Sequence, residues 1–453
     1  MVFIKVHLII FYFLGLVPFS YKKNTNVVDK KKLGPDTITL VPTEIHTCYS
    51  LVLIIIIVIG NSIQIPLFLK ESYSGDGNEL TETLGLAISV SGNVVMVIML
   101  LLYIVQRQKI IKLGNQLLDL DVAMKKLHNI YKLESEKMKL ILICYINTIP
   151  CVIIILFTLF IEASFIRATC MYTFHTTIFN YFVIQYAIVL TLIEKKLKCC
   201  NDAFLRMKKS IELQFRVYNT QKNTLEKTSI VEIFALKRCH TILCKICSDI
   251  ADFYSFGFLF IIPYSIVCVI LNIYDLLTPF LKIYPTDDVV VRRIGNIAWI
   301  TARLFPILTT AICATKVSKQ VSCKIYFSSI TLRMLGIISR AGARKKTAQI
   351  SLGIIQDSTE YNPNSIGYDL GLYPVESYTI KRTSSVIQEI LFECFMSPEV
   401  KNELKIFSLE LLHKNFQFTA YNVIPVDCTV LRTVFGAIAT YLIIFIQFQS
   451  DDM

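Results

Sequence analysis

The chain has 453 residues, of which 54% are hydrophobic and only 18% are charged, and its formal net charge is +12. An average soluble domain carries about 25% charged residues. The low charge content and the grouping of apolar residues into blocks of bilayer length exclude an ordinary soluble enzyme and predict a membrane protein with several spans.

The N-terminal region, residues 1–46, precedes the first predicted span. His7 to Val17 form an apolar run behind Lys5, and this run is too short to cross a bilayer. One interpretation is the core of a signal peptide, although no A-x-A cleavage pattern follows. The other, which the distribution of basic residues favours, is an amphipathic lead-in that lies on the cytoplasmic membrane surface.

Seven apolar stretches are long enough to cross a bilayer, which requires about 20 residues. Within lipid they should be helices, because each backbone N–H must find a carbonyl in its own segment. The sequence therefore predicts an all-α, polytopic membrane protein with seven transmembrane helices. The predicted spans are Thr47–Leu69, Leu84–Val105, Leu140–Ile161, Tyr172–Ile193, Tyr254–Leu276, Ile294–Cys313 and Val423–Phe448.

Lysine and arginine are distributed unevenly between the predicted loops. The segments 1–46, 106–139, 194–253 and 314–422 hold 39 of the 46 basic residues, and the loops of the opposite side hold 5. Because basic loops stay in the cytoplasm, we expect a cytoplasmic N-terminus and an extracellular C-terminus. The net charge is thereby explained by topology and by contact with anionic membrane lipid, and it needs no nucleic acid.

Composition and periodicity divide the chain into further regions. Residues 47–313 are expected to form helices 1 to 6, with cytosolic helix extensions in 194–253. Residues 314–383 become turn-rich without a sustained period, which predicts an unstructured cytoplasmic insertion. Residues 384–422 regain helical spacing as a cytoplasmic anchor segment, and residues 423–453 form the seventh helix and a short external tail.

No pattern of catalytic residues is present in the sequence. Nucleophile elbows, phosphate loops and HExxH motifs are all missing. Cys239, Cys244 and Cys247 with His240 resemble zinc ligands, but no second ligand pair follows at finger-like spacing. We therefore expect no enzymatic activity, no cofactor and no metal.

Polar residues recur in the predicted outer halves of spans two to six. Such groups are costly in lipid and should face the interior of the helix bundle. Together they predict a pocket, open to the outside, for a small polar ligand; for each residue the alternative is a hydrogen bond to a neighbouring helix. The candidates are Asn93, His175, Asn180, Asn272, Tyr274, Asp275, Asn296, Trp299 and Arg303.

The seventh span ends with Thr440 and Tyr441, five hydrophobic residues, and then Gln447 and Phe448. This nine-residue ending resembles the C-terminus of insect gustatory receptors. The resemblance covers most of the chain and is strongest over residues 385–450. The seven-span topology with a cytoplasmic N-terminus, obtained from the charge distribution, agrees with it.

The resemblance implies a ligand-gated, non-selective cation channel of the plasma membrane that binds a small-molecule tastant. It implies a homo- or heterotetramer of gustatory receptor subunits around a pore formed by the last helix. Gln447 and Phe448 would then stand at the outer constriction of the pore, with Thr440 and Tyr441 deeper in the same helix. The ligand pocket would lie in the outer half of each subunit's helix bundle.

The identity of the tastant stays open at this point. Trp299 and Asn296 offer a ring face and an amide, as sugar sites use, and they resemble the fructose-receptor branch of the family. A bitter-type receptor would need only a larger apolar cavity. Further alternatives are an odorant receptor of the same superfamily and a G-protein-coupled receptor, although the sequence has neither Asp-Arg-Tyr after the third span nor Asn-Pro-x-x-Tyr in the seventh.

Residues 320–383 depart from the family pattern. The familiar sequence stops near Gln320 and resumes near Ser384. We hypothesise that the segment is translated intron sequence; a natural loop is the alternative. An uninterrupted transcript across the whole segment would reject the intron hypothesis.

Overall fold

The computed structural model describes residues 9–17, 19–23, 38–72, 79–126, 137–161, 173–217, 222–281, 289–321, 402, 405–407, 418–421 and 423–451. These ranges contain long helices and two short antiparallel hairpins. The helices are α1 (Glu44–Ser72), α2 (Glu79–Val105), α3 (Arg107–Lys126), α4 (Lys137–Ile161), α5 (Phe174–Val217), α6 (Lys222–Leu281), α7 (Val289–Val321) and α8 (Cys428–Asp451). The strands are β1 (Phe19–Lys23) paired with β2 (Ile38–Pro42), and β3 (Thr419–Ala420) paired with β4 (Ile424–Pro425).

Six helices are long and apolar enough to cross a membrane. The candidate spans are Glu44–Leu67, Gly85–Val105, Leu140–Leu159, Phe174–Phe204, Phe234–Leu277 and Arg293–Ser318. A seventh, shorter apolar stretch, Cys428–Ile444, lies in α8, whose 24 residues extend over about 36 Å. The helical, seven-span fold predicted from the sequence is confirmed.

The last span begins later than the sequence analysis predicts. Val423 precedes the short strand β4, and the helix starts only at Cys428. Asp427 caps this start, because its Oδ1 accepts a hydrogen bond from the backbone N–H of Thr429 at 2.8 Å. The apolar residues before Asp427 pair as a strand, and hydrophobicity by itself does not distinguish them from helix.

The chain divides into two compact units. The first comprises residues 1–199, 238–318 and 417–453, and the second comprises 200–237 and 319–416. In the second unit the rings of Phe204 and Phe407 lie 6.0 Å apart, and Lys237 Nζ lies 5.7 Å from the centre of the Phe407 ring. Most of the predicted insertion (314–383) and anchor segment (384–422) lies outside the described residues.

Helix α5 occupies the centre of the first unit. In the most apolar part of α5, 72% is buried within the chain. The corresponding share is 28% in α1 and in α4. The aromatic residues Phe182 and Tyr186 of α5 pack against Tyr254 and Phe258 of α6, with ring centroids 4.6 to 5.8 Å apart. The exposed apolar faces of α1 and α4 are those expected to meet lipid.

The N-terminal apolar run packs against the helices and does not lie only on the membrane surface. The ring of Phe11 meets Tyr181 edge-on at 5.6 Å. Gln185 Nε2 donates to the carbonyl of Leu16 at 3.3 Å, and Leu16 is fully buried. Since this run contributes to the protein core, it is an integral part of the fold.

Candidate functional site

A cluster of polar and aromatic side chains forms where α5, α6 and α7 meet. Arg303 of α7 is at its centre, and the side chain of this residue is only 2% exposed. Its Nη2 donates a hydrogen bond to Thr176 Oγ1 of α5 at 2.7 Å. We call this set the Arg303 cluster; its members are His175, Thr176, Phe179, Tyr264, Trp299 and Arg303.

Three aromatic rings surround the guanidinium of Arg303. Its Cζ lies 4.9 Å from the ring centre of Tyr264, 5.7 Å from that of Trp299 and 6.0 Å from that of Phe179. Aromatic faces attract cations at such distances. The rings therefore stabilise the charge in part, without neutralising it.

Tyr264 links the guanidinium to His175. The Tyr264 hydroxyl and His175 Nε2 are hydrogen-bonded at 2.7 Å, and the two rings meet edge-on. Gly92 of α2 makes room for this pair, because a Cβ at this position would overlap the Tyr264 hydroxyl and would lie 2.7 Å from the His175 ring. The small residue is thus required by the close approach of α2.

Several buried polar atoms of this region have no hydrogen-bond partner in the described part of the chain. Two belong to Arg303, namely Nε and Nη1, and one is Nδ1 of His175. Asn296 Nδ2, less than two turns away on α7, is a fourth. Buried polar atoms without a partner are energetically unfavourable, so a hydrogen-bonding group placed against these atoms would be stabilised.

Helical spacing explains why α7 presents three of the predicted residues together. Asn296, Trp299 and Arg303 follow one another at steps of three and four, which places them on one face of a helix. Arg303 meets Trp299, so these two sequence-predicted residues and His175 enter one cluster.

The other predicted asparagines bond to their own or neighbouring helices. Asn93 Nδ2 donates to Asn61 Oδ1 at 2.8 Å, and Asn180 Nδ2 donates to Cys151 Sγ at 2.9 Å. Asn272 Nδ2 donates to the backbone carbonyl one turn earlier in α6, at 2.7 Å. Asn93 and Asn180 thus make hydrogen bonds to a neighbouring helix, which the sequence analysis kept as an alternative, whereas the bond of Asn272 stays within its own helix.

Tyr274 and Asp275 lie about three turns beyond Tyr264 along α6. Both are half-buried. They remain predicted ligand residues on the same helix as Tyr264 of the Arg303 cluster.

Sequence reasoning missed Thr176, Phe179 and Tyr264. Tyr264 precedes the predicted Asn272 by eight residues, which is close to two helical turns, so the period of α6 could have identified it. Phe179 resembles any other apolar residue of a span, and no sequence signal distinguishes it.

The last helix buries one side only. Val430, Val434 and Ile438 are buried at four-residue spacing, whereas Thr440 and Tyr441 are exposed. Gln447 is also exposed. The backbone of Phe448 belongs to α8, but its side chain falls outside the described part of the structure.

The cysteine- and histidine-rich stretch of α6 forms no metal centre in the residues that the structure describes. One polar contact joins Cys244 Sγ and His240 Nδ1 at 3.6 Å, one turn apart on the same helix. Cys239 and Cys247 are likewise buried in α6. These side chains are core residues of the first unit.

Comparison with known proteins gives the family. The sequence profile described as 7tm chemosensory receptor matches residues 4–324 and 375–452. The chain belongs to the 7tm chemosensory receptor family. This chemosensory receptor is accordingly not an enzyme, and it is a multi-pass protein of the plasma membrane. The match omits residues 325–374, which lie within the predicted insertion.

Two Drosophila melanogaster proteins resemble parts of this receptor. It is 38% identical over 71 residues to the protein named gustatory receptor 28b, and 52% identical over 46 residues to that named gustatory receptor 2a. These matches cover 16% and 10% of this chain. They span only 15% and 11% of the length of the two relatives.

Solved structures resemble the receptor over nearly its full length. The olfactory receptor OR5 of Machilis hrabei superposes with a TM-score of 0.57 at 15% identity, covering 98% of this chain and 97% of the other. The same protein in complex with eugenol gives a TM-score of 0.53 at 14% identity. At such low identity the likeness establishes the fold and no more.

Proposed function

We propose that this receptor is a subunit of a tastant-gated, non-selective cation channel, assembled as a homo- or heterotetramer of gustatory receptor subunits. The observation that carries the proposal is the face of α8 that the rest of the chain leaves uncovered. This face carries Thr440 and apolar residues such as Phe435, which is 56% exposed; Tyr441 is also exposed, further along the helix in line with Val434 and Ile438. Polar groups at membrane depth favour subunit contacts or a water-filled pore over lipid.

The gustatory assignment is preferred to the olfactory one. The relatives found by sequence are gustatory receptors at 38% and 52% identity, although over short segments. The likeness to an olfactory receptor is a likeness of fold at 15% identity. The Thr-Tyr and Gln-Phe ending of α8 supports the same assignment.

In the proposed pore, Gln447 and Phe448 form the outer constriction. A ring of glutamine carbonyls replaces part of the hydration shell of a cation, and a ring of phenylalanines closes the path by dewetting. Whole-cell recording of Gln447→Lys tests this arrangement, since four added positive charges should remove most of the inward cation current. Gln108→Lys, on the exposed surface of α3, is the matched control. An equal loss in both variants would count against the pore assignment.

The proposed orientation has the C-terminus outside the cell. A C-terminal epitope tag should stain in intact cells that express the receptor. Staining only after permeabilisation, with surface delivery confirmed separately, would contradict the orientation and restore the G-protein-coupled alternative.

The ligand of the proposed channel is a small-molecule tastant that binds at the Arg303 cluster. A sugar is one candidate, because the Trp299 ring would pack against the apolar face of a sugar and the Asn296 amide would hydrogen-bond to its hydroxyls. Fructose-evoked current should then fall strongly in Trp299→Ala. A fructose current that survives this substitution would move the sugar site elsewhere, and the absence of a fructose current in the unsubstituted receptor would favour a bitter-type receptor.

A further inference from the structure

We infer that the Arg303 cluster binds ligands that carry a carboxylate, with the guanidinium as the counter-charge. The inference rests on the proposed function, since it names the ligand class of the same site. The observation behind it is that Arg303, a cation buried among α5, α6 and α7, has N–H donors without hydrogen-bond partners in the described residues.

The charge of Arg303 cannot be avoided by deprotonation, because an arginine side chain stays protonated in proteins. The side chain is 2% exposed, so water reaches it poorly. The groups that it contacts in the described residues are neutral: the hydroxyl of Thr176, which accepts a hydrogen bond from Nη2, and the side chain of Tyr264. A buried cation with neutral neighbours favours a ligand of negative charge.

The unpaired atoms fit the acceptors of a carboxylate. Nε and Nη1 of Arg303 both lack a partner in the described chain, and a carboxylate can pair its two oxygens with one of these atoms and with the second N–H of Nη2, next to the bond to Thr176. A neutral sugar hydroxyl can accept one such bond, but it leaves the charge uncompensated. The charge therefore distinguishes an acid from the alcohol of the same shape.

The surroundings of Arg303 indicate an organic acid and not a bare inorganic anion. Trp299, Tyr264 and Phe179 line the guanidinium with ring faces, which hold an apolar or sugar-like body. The unpaired Nδ2 of Asn296 adds a neutral donor on the same face of α7. The ligand class is thus a small carboxylate with a ring or a hydroxylated body.

The test compares acids with alcohols of matched shape. Thermal unfolding of the purified full-length receptor in detergent is measured at pH 7 and constant ionic strength, with glucuronate against glucose and with benzoate against benzyl alcohol. We expect at least one acid to raise the Tm while its alcohol partner does not. In Arg303→Gln that acid should bind about tenfold more weakly or worse, as loss of a charged hydrogen-bond partner predicts.

Lys112→Gln is the matched control, because it removes one positive charge from the exposed surface of α3. It should leave the response to the acid unchanged. If Arg303→Gln does not fold, Arg303→Lys keeps the charge but loses the planar fork, and should weaken the response in part. The acid–alcohol comparison on the unsubstituted receptor needs no variant at all.

Three results would overturn the inference: an alcohol that stabilises as well as its acid, a response that Arg303→Gln retains, or no shift with either acid. The last would mean that ordered water satisfies the guanidinium.

Whole-cell currents with the same four compounds separate this inference from the proposed function. An acid that stabilises the purified receptor without evoking current would count against a channel that this chain forms alone and that the acid opens, and would leave the carboxylate site intact. Equal currents from glucose and glucuronate would support the channel and overturn the carboxylate site.

Discussion

Two buried cations of the first unit have different surroundings. Lys196 of α5, whose side chain is 11% exposed, forms an ion pair with Asp121 of α3. Arg303 of α7 has a threonine hydroxyl and three aromatic rings around it, and no carboxylate pairs with it among the described residues. A cation paired within the chain is a fixed structural element, whereas one left without a counter-charge stays available to a ligand.

Removing the carboxylate from the paired site should have the largest effect. Asp121→Ala leaves the Lys196 ammonium without its carboxylate; because the Asp121 side chain is itself 33% exposed, we expect a loss of about 2.5 kcal/mol in the free energy of unfolding, below the range of a fully buried pair. Thermal unfolding of the purified receptor measures it. Asp119→Ala, two residues away on the exposed surface, should change stability little; equal losses would show that net charge and not pairing matters.

Crowding the Arg303 cluster should lower the free energy of unfolding by somewhat less than Asp121→Ala does. Gly92→Ala places a methyl group against the Tyr264 hydroxyl and the His175 ring, and overpacking of this kind costs about 2 kcal/mol. Gly85→Ala in the same helix meets nothing within 4 Å and should be neutral or slightly stabilising. If both variants unfold at the same temperature, α2 does not confine the cluster as described.

Removing the hydroxyl partner of Arg303 should have a moderate effect. Thr176→Val deletes the acceptor at 2.7 Å, and without ligand this should cost about 1.5 kcal/mol, because the acceptor serves a charged donor. Thr177→Val also removes a hydroxyl, one that bonds to the backbone of its own helix. The difference in Tm between the two variants isolates the bond to the guanidinium; no difference would contradict its importance.

Removing the unpaired cation itself should have the smallest effect. Arg303→Met keeps a long apolar side chain and relieves the buried charge, so stability without ligand should change by less than about 1 kcal/mol. A loss as large as that of Asp121→Ala would mean that the guanidinium is already compensated within the chain. The two cations would then be equivalent, and the carboxylate inference would lose its basis.

Local pattern was enough to locate the membrane helices. The predicted span Leu140–Ile161 and the observed candidate Leu140–Leu159 start at the same residue. The seventh span was placed too early, at Val423, because hydrophobicity does not distinguish the strand Ile424–Pro425 from a helix. The start at Cys428 depends on the cap that Asp427 provides.

Local pattern was less informative about the site. It selected His175, Trp299 and Arg303, which enter one cluster, and also Asn93 and Asn180, which bond to neighbouring helices. A polar residue in a span has to face protein or water, and this rule holds equally for a ligand site and for a helix contact.

The sequence by itself determined the class of protein, because the length of an apolar block and the side on which basic loops lie are local properties of the chain. The tertiary structure decided which side chains meet. The bond between Arg303 and Thr176 joins residues 127 positions apart, and that between Tyr264 and His175 joins residues 89 apart. Such contacts depend on how each helix is rotated and packed against its neighbours, and small differences in packing determine whether a polar group finds a partner or remains open to a ligand.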